Sequence, residues 1–227
     1  MNVLVVAAHP DDEVLGAGGT IARHTGRGET VYAVLLGEGI TSRAEKGVAP
    51  SGAGVRDLKQ NAREAASIVG IEQTFFFDFP DNRFDAVPLL DIVKAVESVK
   101  KEIRPEIVYT HHRGDLNIDH RITFAAVLTA FRPMAGESAR RILSFAVPSS
   151  TEWSAPAPES VFAPNVFVDI GEHFEKKVAA MKAYRSEIRE FPHPRSPEAL
   201  EIYAKMWGVT VGMNYAEPFL LVRELTS

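Results

Sequence analysis

An imidazole and three carboxylates stand within five residues near the amino terminus, in His9-Pro10-Asp11-Asp12-Glu13. That much charge resists desolvation unless something balances it, and a divalent cation does so economically. His9 and Asp12 form a hard-to-borderline N,O donor pair that suits zinc or a neighbouring first-row metal. A second cluster, Asp119-His120, lies far along the chain. If the two meet, His9, Asp12 and His120 supply three ligands and leave a position open for water, as in catalytic rather than structural zinc sites. Bound zinc lowers the pKa of such water to about 7. Asp11, beside a ligand but not needed as one, is then the candidate general base. Glu13 and Asp119 are expected just behind the ligands, as acceptors that orient them. The plainer reading puts Asp11, Asp12 and Glu13 on the first turn of a helix, where negative charge favours the dipole. The preceding His-Pro and the distant Asp-His weigh against it.

These residues need a frame. Val3-Leu4-Val5-Val6-Ala7 is a short apolar run that suits a parallel strand buried on both faces, and Pro10 ends it. Glu13 to Gly28 reads as a helix whose Gly16, Gly18 and Gly19 allow close packing on a sheet. Thr30–Leu36 is a second strand, ending at Glu38, and residues 38–55 read as a long loop. Arg56–Val69 is a helix stopped by Gly70, and Thr74–Phe77 a third strand running into the polar turn Pro80–Asp85. A helix after Pro88 stops at Pro105, and Ile107–Tyr109 is a fourth strand feeding His111–His120. Helix resumes to Ala130, Ile142–Val147 is a fifth strand, and 148–164 is a loop in which Trp153 reads as a buried anchor ahead of a face for stacking on a sugar. Val166–Val168 is a short strand, 172–190 an amphipathic helix, 191–197 a rigid turn, 198–207 a last helix and Phe219–Val222 a closing strand.

Strand and helix alternate, which predicts an α/β fold: a Rossmann-like three-layer sandwich with a mostly parallel sheet and right-handed crossovers. In such sheets ligands bind outside the carboxyl ends of the strands, where every polar cluster above falls. No repeat or linker divides residues 1–227, which are expected to form a single domain.

Composition narrows the function. With 45% hydrophobic and 24% charged residues the chain reads as a soluble enzyme. A net charge of −5 disfavours nucleic acid or anionic membrane as partner. The absence of cysteine excludes disulfides, thiolate ligands and a thiol nucleophile, and fits a cytoplasmic location. No apolar run approaches a membrane span and no leader precedes the first strand. A homo-oligomer stays open.

Ala8-His9-Pro10-Asp11-Asp12-Glu13, together with Asp119-His120, resembles the PIG-L/LmbE family of zinc-dependent N-deacetylases. The resemblance extends over Leu36-Gly37-Glu38-Gly39 and the Pro80–Asp85 turn. It implies one zinc per chain and hydrolysis of an acetamide on an amino sugar, glycoconjugate or related amide. His9, Asp12 and His120 match the ligands and Asp11 the base. Glu38 and Asp85, and less closely Arg56, match positions that contact substrate. One departure concerns the oxyanion. Where many members carry a histidine three residues before the metal histidine, this chain has Asn117, whose amide is the candidate donor. His112 and His193 are alternatives for that role. His112 is also a candidate pocket residue, and His193 and Arg195 are candidates for a lid or an anion contact on the substrate.

Other readings remain. Gly16-Ala17-Gly18-Gly19 after a strand faintly resembles a dinucleotide fingerprint, but Ile21 breaks it and the acids would repel a pyrophosphate. The same site would serve an amidase acting on a non-sugar or thiol-conjugate amide. A non-catalytic, metal-dependent carbohydrate-binding protein would keep the ligands and release no amine.

Overall fold

The computed structural model describes residues 1–39, 52–158 and 160–226. In chain order the elements are β1 (Asn2–Ala7), α1 (Asp12–Gly26), β2 (Thr30–Gly37), α2 (Gly52–Val69), β3 (Gln73–Phe79), α3 (Leu89–Ile103) and β4 (Ile107–His111). They continue with α4 (Ile118–Ala130), β5 (Arg141–Phe145), β6 (Val166–Asp169), α5 (Phe174–Ala183), α6 (Pro197–Val211) and β7 (Ala216–Glu224). The seven strands form one sheet in the order β3-β2-β1-β4-β5-β7-β6. The first five strands pair in parallel. β7 runs antiparallel to both β5 and β6.

Because successive strand residues face opposite sides, β1 feeds two cores at once. Val3, Val5 and Ala7 pack with residues of α1, α2 and α5. Leu4, Val6 and Ala8 pack with residues of α3 and α4 on the other face. Helices on both faces of a mostly parallel sheet are the three-layer architecture expected from the sequence. From β1 the chain winds outward through β2 and β3, then returns to place β4 on β1's other side. The carboxyl ends of β1 and β4 therefore flank a topological switch point, where a crevice opens.

α1 lies close to its neighbours because its glycines have no Cβ. A Cβ on Gly16 would stand 2.2 Å from Phe145 Cδ2, and one on Gly19 would stand 2.8 Å from Ile170 Cβ. An ion pair is set beside the same helix. Lys177 Nζ donates to Leu15 O at 2.8 Å and to Glu217 Oε1 at 2.6 Å. Glu217 accepts from the backbone N–H groups of Gly19 and Thr20 at 2.9 and 2.6 Å. Both residues are buried, so the charges are offset by each other and by backbone dipoles.

Several boundaries differ from the sequence reading. α5 ends at Ala183 instead of continuing to 190, because Tyr184 and Glu187 turn inward to Glu13 and Arg195. α6 extends to Val211, with Ser196 Oγ capping the Ala199 N–H at its start and left-handed Gly212 at its end. α2 begins at Gly52, inside the stretch expected as loop, while residues 40–51 of that stretch lie outside the described residues. Trp153, expected as a buried anchor, is 54% exposed. No described helix is long and apolar enough to cross a membrane.

Candidate metal centre

The turn after β1 is built on its own acids. The His9 N–H donates to Asp12 Oδ2 at 2.9 Å and the Asp12 N–H to His9 O at 3.3 Å. Between them Asp11 adopts φ 108°, a left-handed conformation that side chains rarely take. Such a residue costs about 1–3 kcal/mol and persists only where its surroundings fix it. The Asp11 N–H donates to Glu13 Oε2 at 3.1 Å, and Glu13 Oε1 accepts from the Tyr184 hydroxyl. α1 then starts at Asp12, which fixes the direction of that carboxylate.

β4 delivers the other half. His111 is fully buried, and its Nε2 accepts the Ala8 N–H at 2.8 Å, tying β4's end to β1's. Its ring stacks on that of His120 with centroids 4.0 Å apart. His120 sits in the first turn of α4. That helix is capped by Asn117, whose Oδ1 accepts the Asp119 N–H at 2.8 Å.

His9, Asp12 and His120 converge. One donor atom from each lies within 4.8 Å of the others, and all three residues are buried. Asp12 Oδ2 is 3.4 Å from His9 Nδ1 and 3.3 Å from His120 Nε2. A tetrahedral zinc site with bonds of about 2.0–2.1 Å has edges of about 3.3–3.4 Å; the two edges from Asp12 have that length, and the third pair lies within 4.8 Å. The far nitrogen of each ring is backed by carboxylate. His9 Nε2 lies 2.9 Å from Asp119 Oδ2 and 3.1 Å from Asp81 Oδ1. His120 Nδ1 lies 3.2 Å from Asp115 Oδ1. Carboxylates behind ligating histidines fix the ring orientation and raise ligand basicity. Asp119 also accepts the Asn82 and Phe84 N–H groups at 2.6 and 3.0 Å, and Asp115 accepts from the Ser150 and Thr151 hydroxyls.

The electrostatics match a cation site. Burial alone would lower the His9 imidazole, but hydrogen bonds to Asp119, Asp12 and Asp81 hold its pKa well above the ordinary value. Burial likewise opposes protonation of His120, yet the Asp12 charge and Asp115 raise it to about 9. Against burial, His120 and His111 hold Asp12 well below the usual carboxylate range. Protons on two imidazoles thus supply the positive charge that a divalent ion would replace. His111 behaves oppositely: burial and the His120 charge keep it neutral, which suits its backbone contact. Burial lifts Asp11 well above its ordinary value although Arg195 opposes it, and lifts Glu13 to about 7 against the Tyr184 hydrogen bond.

The remaining expected site residues are more scattered. Glu38 follows β2, half-buried, its pKa raised by burial and by Asp78 and Asp81. Arg56 is exposed on α2, and Asp85 is exposed in the short 3₁₀ turn Phe84–Ala86 beside Asp119's partner Phe84. Asn117 commits its oxygen to capping α4, which leaves its Nδ2 as the group that can donate to a ligand. His112 is buried, its Nε2 3.1 Å from Ser160 O and its ring against Phe162, so it holds down the 148–164 loop. His193 Nδ1 accepts the Arg195 N–H at 3.1 Å. Arg195 pairs with Asp11 at 2.7 Å and with Glu187 at 3.0 Å. Sequence reasoning missed Asp81, Tyr184, Ser149 and Glu187. Asp81 carried a signal, an acid at a strand's carboxyl end; the others sit in segments that read as ordinary helix and loop.

Residues 4–131 match the family model described as GlcNAc-PI de-N-acetylase, PIG-L. The uncharacterized deacetylase YaiS of Escherichia coli K12 is 30% identical over 82% of this chain and 91% of its own length. The diacetylchitobiose deacetylase of Thermococcus kodakarensis is 26% identical over 95% of this chain and 81% of its own. The 4-oxalmesaconate hydratase of Pseudomonas putida is 30% identical over 80% of this chain and 72% of its own.

Proposed function

Because this chain belongs to the PIG-L, or GlcNAc-PI de-N-acetylase, family, we propose that it is a metal-dependent hydrolase removing the acetyl group from an N-acetylated amino sugar or glycoconjugate. The observation that carries the proposal is one buried carboxylate, Asp12, set 3.3–3.4 Å from nitrogens of His9 and His120 at the switch point of the sheet. The deacetylase descriptions of the family and of two relatives supply the reaction class.

His9, Asp12 and His120 would hold the ion, one per chain. Zinc, or another first-row divalent metal, supplies Lewis-acid polarisation of an amide oxygen and acidification of water. The chain's own residues do the rest. Asp11 takes a proton from the attacking water as its oxygen bonds the acetyl carbon. Asp11 then gives that proton to the amine nitrogen as the C–N bond breaks, releasing acetate and a free amine. Asn117 Nδ2 donates to the developing oxyanion, the role a preorganised amide performs well. Asp119, Asp81 and Asp115 keep the two imidazoles aimed. Glu38, Arg56 and Asp85 contact the sugar.

A second reading is favoured by the relationship to the hydratase, at 30% identity: water addition to an unsaturated carboxylate at the same centre. One experiment separates the readings. Metal content is measured on wild type and Asp12→Ala, and the loaded enzyme is assayed for primary amine release from N-acetylglucosaminides and for loss of enoate absorbance. Amine release that vanishes with the metal supports the deacetylase. Absorbance loss alone supports the hydratase, and absence of metal uptake removes both.

A further inference from the structure

Asp11 is clamped from outside the amino-terminal half of the chain. The Arg195 guanidinium reaches Asp11 Oδ2 through Nη1 at 2.7 Å, Glu187 Oε2 through the same nitrogen at 3.0 Å, and Ser149 Oγ through Nε at 2.8 Å. Glu187 is 1% exposed, and its other oxygen accepts from Ser186 Oγ at 3.0 Å. The guanidinium is therefore fixed at both Nε and Nη1, and its planar fork has little freedom left. The backbone end of Asp11 is held by Glu13, which the Tyr184 hydroxyl holds in turn. Residues 184–195 thus grip Asp11 at its amide and at one carboxylate oxygen. These residues lie beyond the segment, 4–131, that matches the family model.

A residue at φ 108° needs such a grip, because its backbone conformation is not favoured by itself. The grip also divides the carboxylate. Oδ2 is committed to Arg195, and Oδ1 has no hydrogen-bond partner among the described residues. We propose that Arg195, fixed by Glu187 and Ser149, is the positioning residue that presents Asp11 Oδ1 for proton transfer. The inference rests on the hydrolase reading above. It assigns Arg195 a role through Asp11 and not through substrate.

Positioning acts on turnover more than on binding, because a misplaced base slows the step without weakening the ligand's contacts. Arg195→Ala, loaded with zinc, is expected to keep wild-type metal content and a KM within about threefold of wild type while kcat falls about a hundredfold. Arg195→Lys, which keeps charge but not the fork, falls in between. Guanidinium chloride at low millimolar concentration, against sodium chloride of equal strength, restores about tenfold of kcat in Arg195→Ala. It also raises that variant's melting temperature, and restores no turnover in the double variant Arg195→Ala/Asp11→Asn. A kcat within about threefold of wild type, or a raised KM with unchanged kcat, would overturn the assignment, the second making Arg195 a substrate contact. Melting temperatures blind to guanidinium would overturn it as well. Loaded wild type that releases no amine removes the hydrolase reading, and the inference with it. Amine release by wild type with an unimpaired Arg195→Ala removes the inference alone.

Discussion

Replacing Asp119 by Asn changes no volume and removes one charge, so its effect can be worked out from three distances. Oδ2 accepts from His9 Nε2 at 2.9 Å and from the Asn82 N–H at 2.6 Å, and Oδ1 accepts the Phe84 N–H at 3.0 Å. Asparagine keeps one oxygen. With the oxygen toward His9 and Asn82, the new NH₂ faces the Phe84 N–H; flipped, it faces the other two donors. Either way at least one buried donor meets a donor, at about 1–3 kcal/mol. In a chain of this size each kcal/mol moves the melting temperature by roughly 2–4 °C, so a fall of about 2–12 °C is expected. The second consequence concerns the ion. Without a carboxylate behind it, His9 is less basic and less well aimed, and metal affinity should fall about 10–100-fold. Competition against a chromophoric chelator measures the affinity, and a thermal scan of the metal-free protein measures the first effect separately. An affinity within about threefold of wild type would refute the reasoning that Asp119 acts through His9 on a metal.

Asp12→Ala should hold no metal after purification without chelators, where wild type holds near one ion per chain, by elemental analysis. Asp11→Asn should retain the metal and lose about 10²–10⁴-fold in turnover, by amine release. Lys177→Met leaves Glu217 charged and buried, and should cost about 3–5 kcal/mol in urea unfolding; adding Glu217→Leu should recover only part of that, because the Gly19 and Thr20 N–H groups then lose this acceptor. Gly16→Ala drives a methyl into the Phe145 ring and should cost at least about 1–3 kcal/mol by the same assay.

Much of this was legible in the sequence because two signals were strong. Apolar runs such as Val3–Ala7 and Ile107–Tyr109, alternating with helical stretches, suit buried parallel strands, and parallel sheets put function at the strands' carboxyl ends. His9, Asp12 and His120 were therefore readable as neighbours across a crevice despite their separation in sequence. What could not be read depends on tertiary partners. The pattern over 172–190 is helical throughout, yet the chain leaves the helix after Ala183 because Tyr184 and Glu187 have better use as buried acceptors and donors around the acidic turn. Arg195 in a proline-rich turn looks like a substrate contact; only the fold shows two carboxylates already on it. Trp153 reads as an anchor by size, but its loop is held by Thr151 and Ser150 on Asp115.

The ion pair beside α1 has a consequence for how the molecule is made. Gly19 and Thr20 take their acceptor from a residue 198 and 197 positions later, and Leu15 takes its lysine 162 positions later. The helix that carries Asp12 thus waits for β7, the last described strand, before its surroundings are complete. At about 5–20 residues per second, synthesis from His120 to Glu217 takes roughly 5–20 s. Throughout that interval α1 lacks the buried carboxylate and the lysine that complete its surroundings.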